Sequence, residues 1–206
     1  MSARYRGTVS RRSADFFEEA YAGTPPWEIG RPQPVFVRLE DEGRIAVSVL
    51  DAGCGTGENA LFLSDRGHEV LCFDTARTAI ARATEKGQQR RLAARFVVHD
   101  ALALDGLGRP FDTAIDSGLL HTFSDADRAA YIRALAAAVR PGGAAFVMCF
   151  SEHEPGAWGP RRVTRDELMD AFADGWRIRS IHAERFATTL SDDGAQAWLA
   201  EVERSS

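Results

Sequence analysis

The chain has 206 residues, of which 45% are hydrophobic and 27% are charged. This balance is typical of a globular domain and excludes disordered and fibrous classes. The net charge of −5 argues against general nucleic-acid binding, which needs a strong basic surface. No apolar run approaches the roughly 20 residues needed to span a bilayer, so we expect no membrane segment. Cys54, Cys72 and Cys149 are too few and too widely spaced for a disulfide framework or zinc site, which predicts a reduced, cytoplasmic protein.

The chain begins with two predicted helices, over 13–22 and 34–42, separated by a stiff segment rich in proline and glycine. From residue 45 onward, short apolar runs alternate with helical patterns. The predicted strands are 45–50, 69–73, 95–99, 111–116, 144–150 and 176–182. The predicted helices between them are 57–66, 76–86 ending before Gly87, 125–140 ending before Pro141, and 164–173.

This alternation predicts an α/β fold with a doubly wound parallel sheet. Residues 195–203 fit either a strand or a helix. Residues 1–44 contain no predicted strand, so we expect them to form a helical lid over the open end of the sheet. The rest, residues 45–206, is expected to be the catalytic domain, within one structural domain overall.

A glycine-rich loop follows the first strand, where Gly53, Gly55 and Gly57 come directly after Asp51 and Ala52. Glycines let the backbone approach a ligand closely, and the next helix offers free N–H groups. The G-x-G-x-G spacing matches neither the dinucleotide fingerprint nor a phosphate-binding P-loop.

Acidic residues follow the next two predicted strands. Asp74 is positioned to bind ribose hydroxyls or to cap the following helix, and Asp100 to accept from an exocyclic amine or to turn the loop. The glycine loop and these two acids therefore predict a nucleoside-binding edge.

These features resemble class I S-adenosylmethionine-dependent methyltransferases. Residues 49–57 are similar to that family's first motif, 99–101 to its adenine-side turn, 111–118 to its fourth-strand motif and 135–143 to its post-helix turn. The resemblance implies a Rossmann-like seven-stranded sheet with an antiparallel last strand, S-adenosylmethionine as the cofactor, and no metal. It implies these cofactor-binding residues: Trp27, Asp51, Gly53, Cys54, Gly55, Thr56, Gly57, Asn59, Asp74, Thr75, Asp100, Ala101, Asp116 and Ser117.

Residues 25–34 resemble the lid of small-molecule methyltransferases of the thiopurine, tellurite-resistance and mycobacterial heterocyclic-toxin types. By that resemblance Trp27 contacts the methyl donor, and residues 29–33 help to close the pocket. The alternative is that Trp27 only anchors the N-terminal segment to the core.

The acceptor side is predicted from position. His121 follows the fourth strand, where the transferred methyl group should point, and an imidazole can act as a base or as an orienting group. The alternative is a histidine that only packs the next helix. Asp116 is the second catalytic candidate. The predicted substrate-binding residues are Phe17, Tyr21, Ile29, His121, Trp158 and Arg162, although Phe17 and Tyr21 also fit a core stripe and Arg162 a solvated side chain.

We therefore expect an enzyme that transfers a methyl group from S-adenosylmethionine to a small aromatic or heterocyclic O, N or S acceptor. Ser117-Gly118-Leu119 stands where nucleic-acid amino methyltransferases carry a Pro-Pro-aromatic turn, so no nucleic-acid partner is expected. No membrane partner is expected, and the oligomeric state is a monomer or a homodimer. The alternatives are a non-catalytic S-adenosylmethionine-binding domain and a nicotinamide-dependent oxidoreductase.

Overall fold

The computed structural model of the chain describes residues 13–108 and 110–206. Its strands are β1 (Ser48–Ala52), β2 (Glu69–Asp74), β3 (Arg95–Val98), β4 (Phe111–Ser117), β5 (Val139–Phe150), β6 (Trp176–Thr188) and β7 (Ser191–Arg204). Its α-helices are α1 (Ala14–Tyr21), α2 (Pro34–Asp41), α3 (Glu58–Asp65), α4 (Arg77–Arg90), α5 (Asp125–Ala138) and α6 (Arg165–Ala171). Two 3-10 turns, Leu104–Leu107 and Leu120–Thr122, flank β4.

The seven strands form one sheet in the order β3-β2-β1-β4-β5-β7-β6. Strands β1 to β5 are parallel, and β7 pairs antiparallel with both β5 and β6. The order reverses between β1 and β4, so a crevice opens beyond the carboxyl ends of these two strands. The predicted doubly wound sheet is confirmed, and residues 195–203 lie in the expected antiparallel strand.

Several predicted boundaries were wrong. Strand β1 begins at Ser48 and ends at Ala52, whereas residues 45–50 were predicted. Helix α4 runs through Gly87 to Arg90, because Gly87 packs closely against Phe96 and needs no left-handed backbone; Arg91 takes that conformation instead, with φ 57°. Strand β5 begins at Val139, which pairs with Phe111 before a register shift. Strand β6 extends to Thr188, six residues beyond the predicted end, because its partner β7 is equally long.

Two hydrophobic clusters cover the two faces of the sheet. One includes Leu135 of α5 and Leu168 of α6, and the other includes Phe36 of α2 and Leu63 of α3. Burial of these faces is the main contribution to stability. In the described part of the chain, every helix is too short or too polar to cross a membrane.

The N-terminal segment connects two distant parts of the domain. The backbone N–H of Gln33 donates to Asn59 Oδ1 at 2.9 Å. The Gln33 side chain forms two hydrogen bonds of 3.0 Å with the backbone of Ala187 in β6: Nε2 donates to the carbonyl and Oε1 accepts from the N–H. Thr189 N–H donates to the Pro26 carbonyl at 2.9 Å. The segment therefore lies across the crevice, tied to helix α3 on one side and to the β6–β7 hairpin on the other.

Candidate active site

A cleft opens at the carboxyl ends of β1, β2 and β4. One end is formed by the glycine loop 53–57 together with Asp74 and Ala101. The other end is formed by aromatic side chains from the segments after β4 and β5 and from β6. Because the chain order reverses at this position, the fold places its ligand crevice here.

The glycine loop requires its glycines for two separate reasons. Gly53, Gly55 and Gly57 have φ of 68°, 55° and 83°, a left-handed conformation that disfavours other residues. A Cβ at Gly55 would also lie 2.4 Å from Tyr21 Oη. The loop is fixed to the sheet by the Cys54 N–H, which donates to the Phe73 carbonyl at 2.9 Å.

Two carboxyl groups are buried behind the cleft. Asp51 and Asp116 end neighbouring strands and are each 1% exposed. Neither oxygen of Asp51 has a well-formed hydrogen bond to a described residue, although the Ala60 amide partly offsets its charge. Burial, reinforced by the charge of Asp116, raises the pKa of Asp51 to about 8. Burial likewise raises the pKa of Asp116 to about 7, against the opposing effect of its hydrogen-bond donors.

Asp74 lies in the cleft wall at the end of β2. Its Oδ2 accepts from the Gly55 N–H and its Oδ1 from the Ala76 N–H, both at 2.9 Å. Desolvation raises its pKa, and the backbone donors act in the opposite direction. The N-cap residue of α4 is Ala76 and the helix has no side-chain cap, so the alternative of Asp74 as a helix cap was wrong. Asp74 instead holds the backbone N–H groups of Gly55 and Ala76 while lining the cleft.

The N-terminal segment adds an aromatic cover. Trp27 Nε1 donates to Tyr21 Oη at 2.8 Å, and the Phe17 and Trp27 rings meet edge to face with centroids 6.3 Å apart. Glu28 is hydrogen-bonded to Thr56 in the glycine loop, whose hydroxyl also accepts from Lys86 Nζ at 2.6 Å. These contacts join the cover to the glycine loop directly.

Aromatic side chains surround His121 at the other end. Its ring lies 5.1 Å from that of Phe150 and 6.1 Å from that of Phe186, and Phe150 packs on Trp158 at 5.3 Å. All four side chains line the cleft, as do Leu119 and Leu190. This end of the cleft is therefore lined by flat, largely apolar rings, which suits a flat organic ligand.

The protonation of His121 follows from its backbone contact. The Phe150 N–H donates to His121 Nδ1 at 3.0 Å, so Nδ1 is an acceptor and the neutral ring carries its proton on Nε2. A proton taken up by the ring would lie on Nδ1, facing that N–H, and the hydrogen bond would be lost. The geometry favours a hydrogen-bond donor over a general base.

Most of the predicted residues line this cleft. On the cofactor side these are Trp27, Gly53, Cys54, Gly55, Thr56, Gly57, Asn59, Asp74, Thr75, Ala101 and Ser117. Of the predicted substrate contacts, Phe17, Tyr21, Ile29, His121 and Trp158 do so. However, Phe17 and Tyr21 pack with Ala76 and Ala79 near the glycine loop, and therefore lie on the donor side.

Four predicted residues do not line the cleft. Asp51 lies beneath it, and Asp100 accepts from the Leu102 N–H at 3.1 Å within its own loop. Among the described residues, Arg162 donates to backbone carbonyls of its own segment and does not line the cleft.

Asp116, the fourth, accepts from the N–H groups of Leu119 and Leu120 and from Tyr131 Oη. These bonds fix the short turn that carries His121. Asp116 is therefore better described as a positioning residue than as a catalytic one.

Sequence reasoning missed several residues of the wall. Glu28, Phe150 and Phe186 line the cleft but were not predicted to do so. Glu28 is adjacent to Trp27, and that proximity was the available signal. Phe150 is the last residue of a predicted strand, and that position was its available signal. Phe186 lies beyond the predicted end of its strand and reaches the site through the pairing of β6 with β7, which no local pattern indicates. No group of three His, Cys, Asp or Glu side chains arranged to hold a metal occurs in residues 13–108 and 110–206.

The fold and the cleft together define a Rossmann-like methyltransferase, and comparison with known proteins agrees. Residues 49–143 match a family model described as a methyltransferase domain. The 2-heptyl-1-hydroxyquinolin-4(1H)-one methyltransferase of Mycobacteroides abscessus is 34% identical over 93% of this chain and 90% of its own.

Solved structures agree as well. One, from work on the conversion of a disulfide bond into a thioacetal group during echinomycin biosynthesis, is 40% identical, with a TM-score of 0.85 over 94% of this chain and 93% of its own. The 1,6-didemethyltoxoflavin-N1-methyltransferase of Burkholderia thailandensis, solved with its substrate and S-adenosylhomocysteine, shares the fold at 23% identity, with a TM-score of 0.69 over 84% of this chain and 77% of its own. The chain belongs to the S-adenosylmethionine-dependent methyltransferases and uses S-adenosylmethionine as its methyl donor.

The residues present fit this donor. S-Adenosylmethionine carries an ammonium and a sulfonium charge, and the cleft has the buried, poorly satisfied carboxyl of Asp51 directly beneath the glycine loop. A Cβ at Gly53, Gly55 or Gly57 would collide with the side chains of neighbouring residues, so only glycines let this loop pack so closely at the edge of the cleft. Asp74 faces the cleft at the end of β2, within reach of a diol. When bound, the donor supplies the electrophilic methyl group, and the protein binds, orients and desolvates the reactants.

Proposed function

We propose that this enzyme methylates a small, planar heteroaromatic acceptor at a ring-bound oxygen, nitrogen or sulfur atom. The observation that carries the proposal is the composition of the acceptor end of the cleft. It is lined mainly by aromatic and aliphatic side chains, with His121, Thr122 and Thr188 as its polar members. The charged residues of the wall, Glu28, Arg31, Glu58 and Asp74, belong to the lid and the donor side.

This composition selects the chemistry of the acceptor. An apolar wall binds an uncharged flat ring, and aromatic side chains favour stacked or edge-to-face contacts with it. A site that offers a histidine donor rather than a base suits an acceptor that is already nucleophilic or loses its proton readily. N-hydroxy heterocycles, hydroxyquinolines and thiols meet that condition near neutral pH.

The rim of the cleft indicates the shape of the acceptor. Leu190, at the tip of the β6–β7 hairpin, lines the cleft and is 49% exposed. An exposed leucine at a binding rim favours an acceptor whose apolar substituent extends outward over it. The hydroxyquinolone named for the mycobacterial relative has a heptyl chain, and the echinomycin structure concerns chemistry at the sulfur atoms of a disulfide bond. Both support this class.

The roles of the residues follow from their positions. The glycine loop and Asp74 hold the donor, and residues 25–33 exclude water by closing over it. His121 donates from Nε2 toward the acceptor and orients it for in-line attack. Holding the methyl donor and the acceptor together in a cleft without water then supplies most of the rate enhancement.

We propose that residues 1–44 act as a lid on the domain formed by residues 45–206. We also propose that the enzyme is cytoplasmic, is a monomer or a homodimer, uses no metal, and has neither nucleic acid nor membrane as a partner. The relatives reported above are methyltransferases, and none favours a nicotinamide-dependent or purely binding role.

The test is release of S-adenosylhomocysteine from S-adenosylmethionine with matched acceptors. The panel compares 2-alkyl-1-hydroxyquinolin-4-ones, 8-hydroxyquinoline and thiophenols with aliphatic alcohols and amines, with and without an alkyl chain on the ring. Turnover confined to the heteroaromatic and thiol members, and faster with the alkyl chain, supports the proposal. Preference for aliphatic amines, or donor binding with no turnover across the panel, contradicts it.

A further inference from the structure

Arg162 organises the acceptor-side wall of the cleft. It lies in the irregular segment 151–164 between β5 and α6. Its guanidinium donates five hydrogen bonds of 2.7 to 3.3 Å to backbone carbonyls of that segment. The accepting residues are Glu154, Pro155, Gly156, Trp158 and Pro160.

The guanidinium also packs on the aromatic side chains that face the ligand. Its Cζ lies 5.4 Å from the Phe150 ring centroid and 5.7 Å from that of Trp158, within the range of cation–π contacts. Trp158, Gly159 and Pro160 line the cleft, whereas Arg162 does not. Arg162 therefore supports the wall from behind.

The local structure explains why an arginine occupies this position. Residues 152–162 form no helix or strand, so the carbonyls of the segment have no regular partners. Gly156 and Gly159 both have φ of 76°, which turns the chain sharply around the guanidinium. A planar fork with five N–H donors can serve several carbonyls together, whereas a lysine ammonium has three donors on one atom.

The base of the segment is fixed independently. Val163 N–H donates to the Phe150 carbonyl at 2.9 Å, and Glu154 Oε2 accepts from the Gln196 N–H at 2.6 Å. Loss of Arg162 would therefore loosen the tip that carries Trp158 while the strands beneath it stay paired.

We propose that Arg162 is a positioning residue that holds Trp158 in the acceptor-site wall and thereby sets the affinity for the acceptor. This inference rests on the proposed function, because the acceptor is assumed to lie against Trp158. It assigns Arg162 no contact with donor or acceptor.

Steady-state kinetics of three variants test the proposal. Arg162→Met removes both the N–H donors of the guanidinium and its positive charge, and Arg162→Lys keeps the positive charge without the planar guanidinium. Arg161→Met is the matched control, because Arg161 pairs with Asp125 and Glu167 on the opposite side of the segment. We expect the acceptor KM to rise tenfold or more in Arg162→Met and at least threefold in Arg162→Lys. The Kd for S-adenosylhomocysteine should stay within twofold of wild type, and Arg161→Met should retain the wild-type acceptor KM.

A second measurement does not depend on turnover. The chain has four tryptophans, so 5-fluorotryptophan labelling gives four ¹⁹F signals, and Trp158→Phe assigns the one of interest. We expect Arg162→Met and Arg162→Lys to shift or broaden the Trp158 signal and to leave the other three in place.

The outcomes separate the two proposals. An unchanged Trp158 signal in a folded Arg162 variant, or a wild-type acceptor KM in Arg162→Lys, overturns the role of Arg162. Parallel loss of donor and acceptor binding also overturns it, because that indicates a general structural role. If the wild-type enzyme methylates no member of the panel, the proposed function fails while the ¹⁹F comparison still decides the positioning of Trp158. If Arg162→Met does not fold, Arg162→Lys alone decides.

Discussion

Asp51→Asn should stabilise the ligand-free enzyme and weaken donor binding, two effects of opposite sign from one substitution. The carboxyl of Asp51 is 1% exposed and lacks a well-formed hydrogen bond to the described residues. A carboxamide has nearly the same shape but no charge. The substitution therefore removes a buried titrating group with little change in packing.

The magnitude follows from the pKa of Asp51, which is raised from 3.8 to about 8 in the folded protein. Because the unfolded chain loses this proton at a lower pH than the folded protein, the free energy of unfolding falls as pH rises between these two values. The slope contributed by one such group is about 1.4 kcal/mol per pH unit, and the whole effect above pH 8 is roughly 6 kcal/mol. Set against total stabilities of about 5–15 kcal/mol, this is a large contribution.

Urea unfolding of the ligand-free wild type and Asp51→Asn at pH 5, 6, 7 and 8 measures this difference. The difference in unfolding free energy should move in favour of the variant by about 4 kcal/mol across that range. The pKa of Asp116 is also raised, and its charge contributes to the raised pKa of Asp51, so the difference reports Asp51 together with its coupling to Asp116. Parallel pH profiles for the two proteins would refute the reasoning, as would a variant less stable than wild type at pH 8.

Asp51→Asn should weaken donor binding, which is opposite to its effect on the stability of the ligand-free enzyme. A cationic ligand in the cleft favours the ionised form of Asp51, so binding of S-adenosylmethionine should release the Asp51 proton to the buffer. The affinity of the wild-type enzyme for S-adenosylmethionine should therefore rise between pH 6 and 8. Titration calorimetry in two buffers of different ionisation enthalpy measures that proton. Asp51→Asn should bind the donor about tenfold more weakly at pH 8 and lose most of the pH dependence; equal proton release in both proteins would contradict the assignment.

Two further predictions concern the glycine loop and the histidine. Gly55→Ala should reduce donor affinity by at least tenfold, because its Cβ would lie 2.4 Å from Tyr21 Oη. Tyr21→Phe should restore part of that loss, since the nearest ring carbon is 3.5 Å away. The measurement is calorimetry with S-adenosylhomocysteine, and equal losses with Tyr21 and with Tyr21→Phe would exclude this clash as the cause. His121→Gln, whose amide can donate from near the Nε2 position, should keep more than a tenth of wild-type kcat, whereas His121→Ala should lose 100-fold. Equal loss in the two variants would favour a general base instead.

The donor half of the site could be predicted because it is local in sequence. One loop after β1 and one acid after β2 carry most of it, and the requirement for left-handed backbone limits Gly53, Gly55 and Gly57 to glycine. The doubly wound sheet was predictable for the same reason, since alternating strands and helices leave few topologies. Asp51 shows the limit of this reasoning, because its place in the motif indicates the donor loop but not its burial beneath the cleft.

The part of the cleft that we assign to the acceptor could be predicted only in part. His121 and Trp158 were expected there and do line the cleft, but the aromatic residues around them join them only through tertiary pairing. His121, Phe150 and Phe186 come from three separate segments, and the Phe150 backbone determines which His121 nitrogen carries the proton. Arg162 is the clearest case. From the sequence it is an arginine facing solvent or an anion, whereas in the fold its five N–H donors satisfy its own segment. A family that keeps one donor loop can therefore change its acceptor by altering segments such as 151–164, because the donor-binding half of the cleft is built from other parts of the chain.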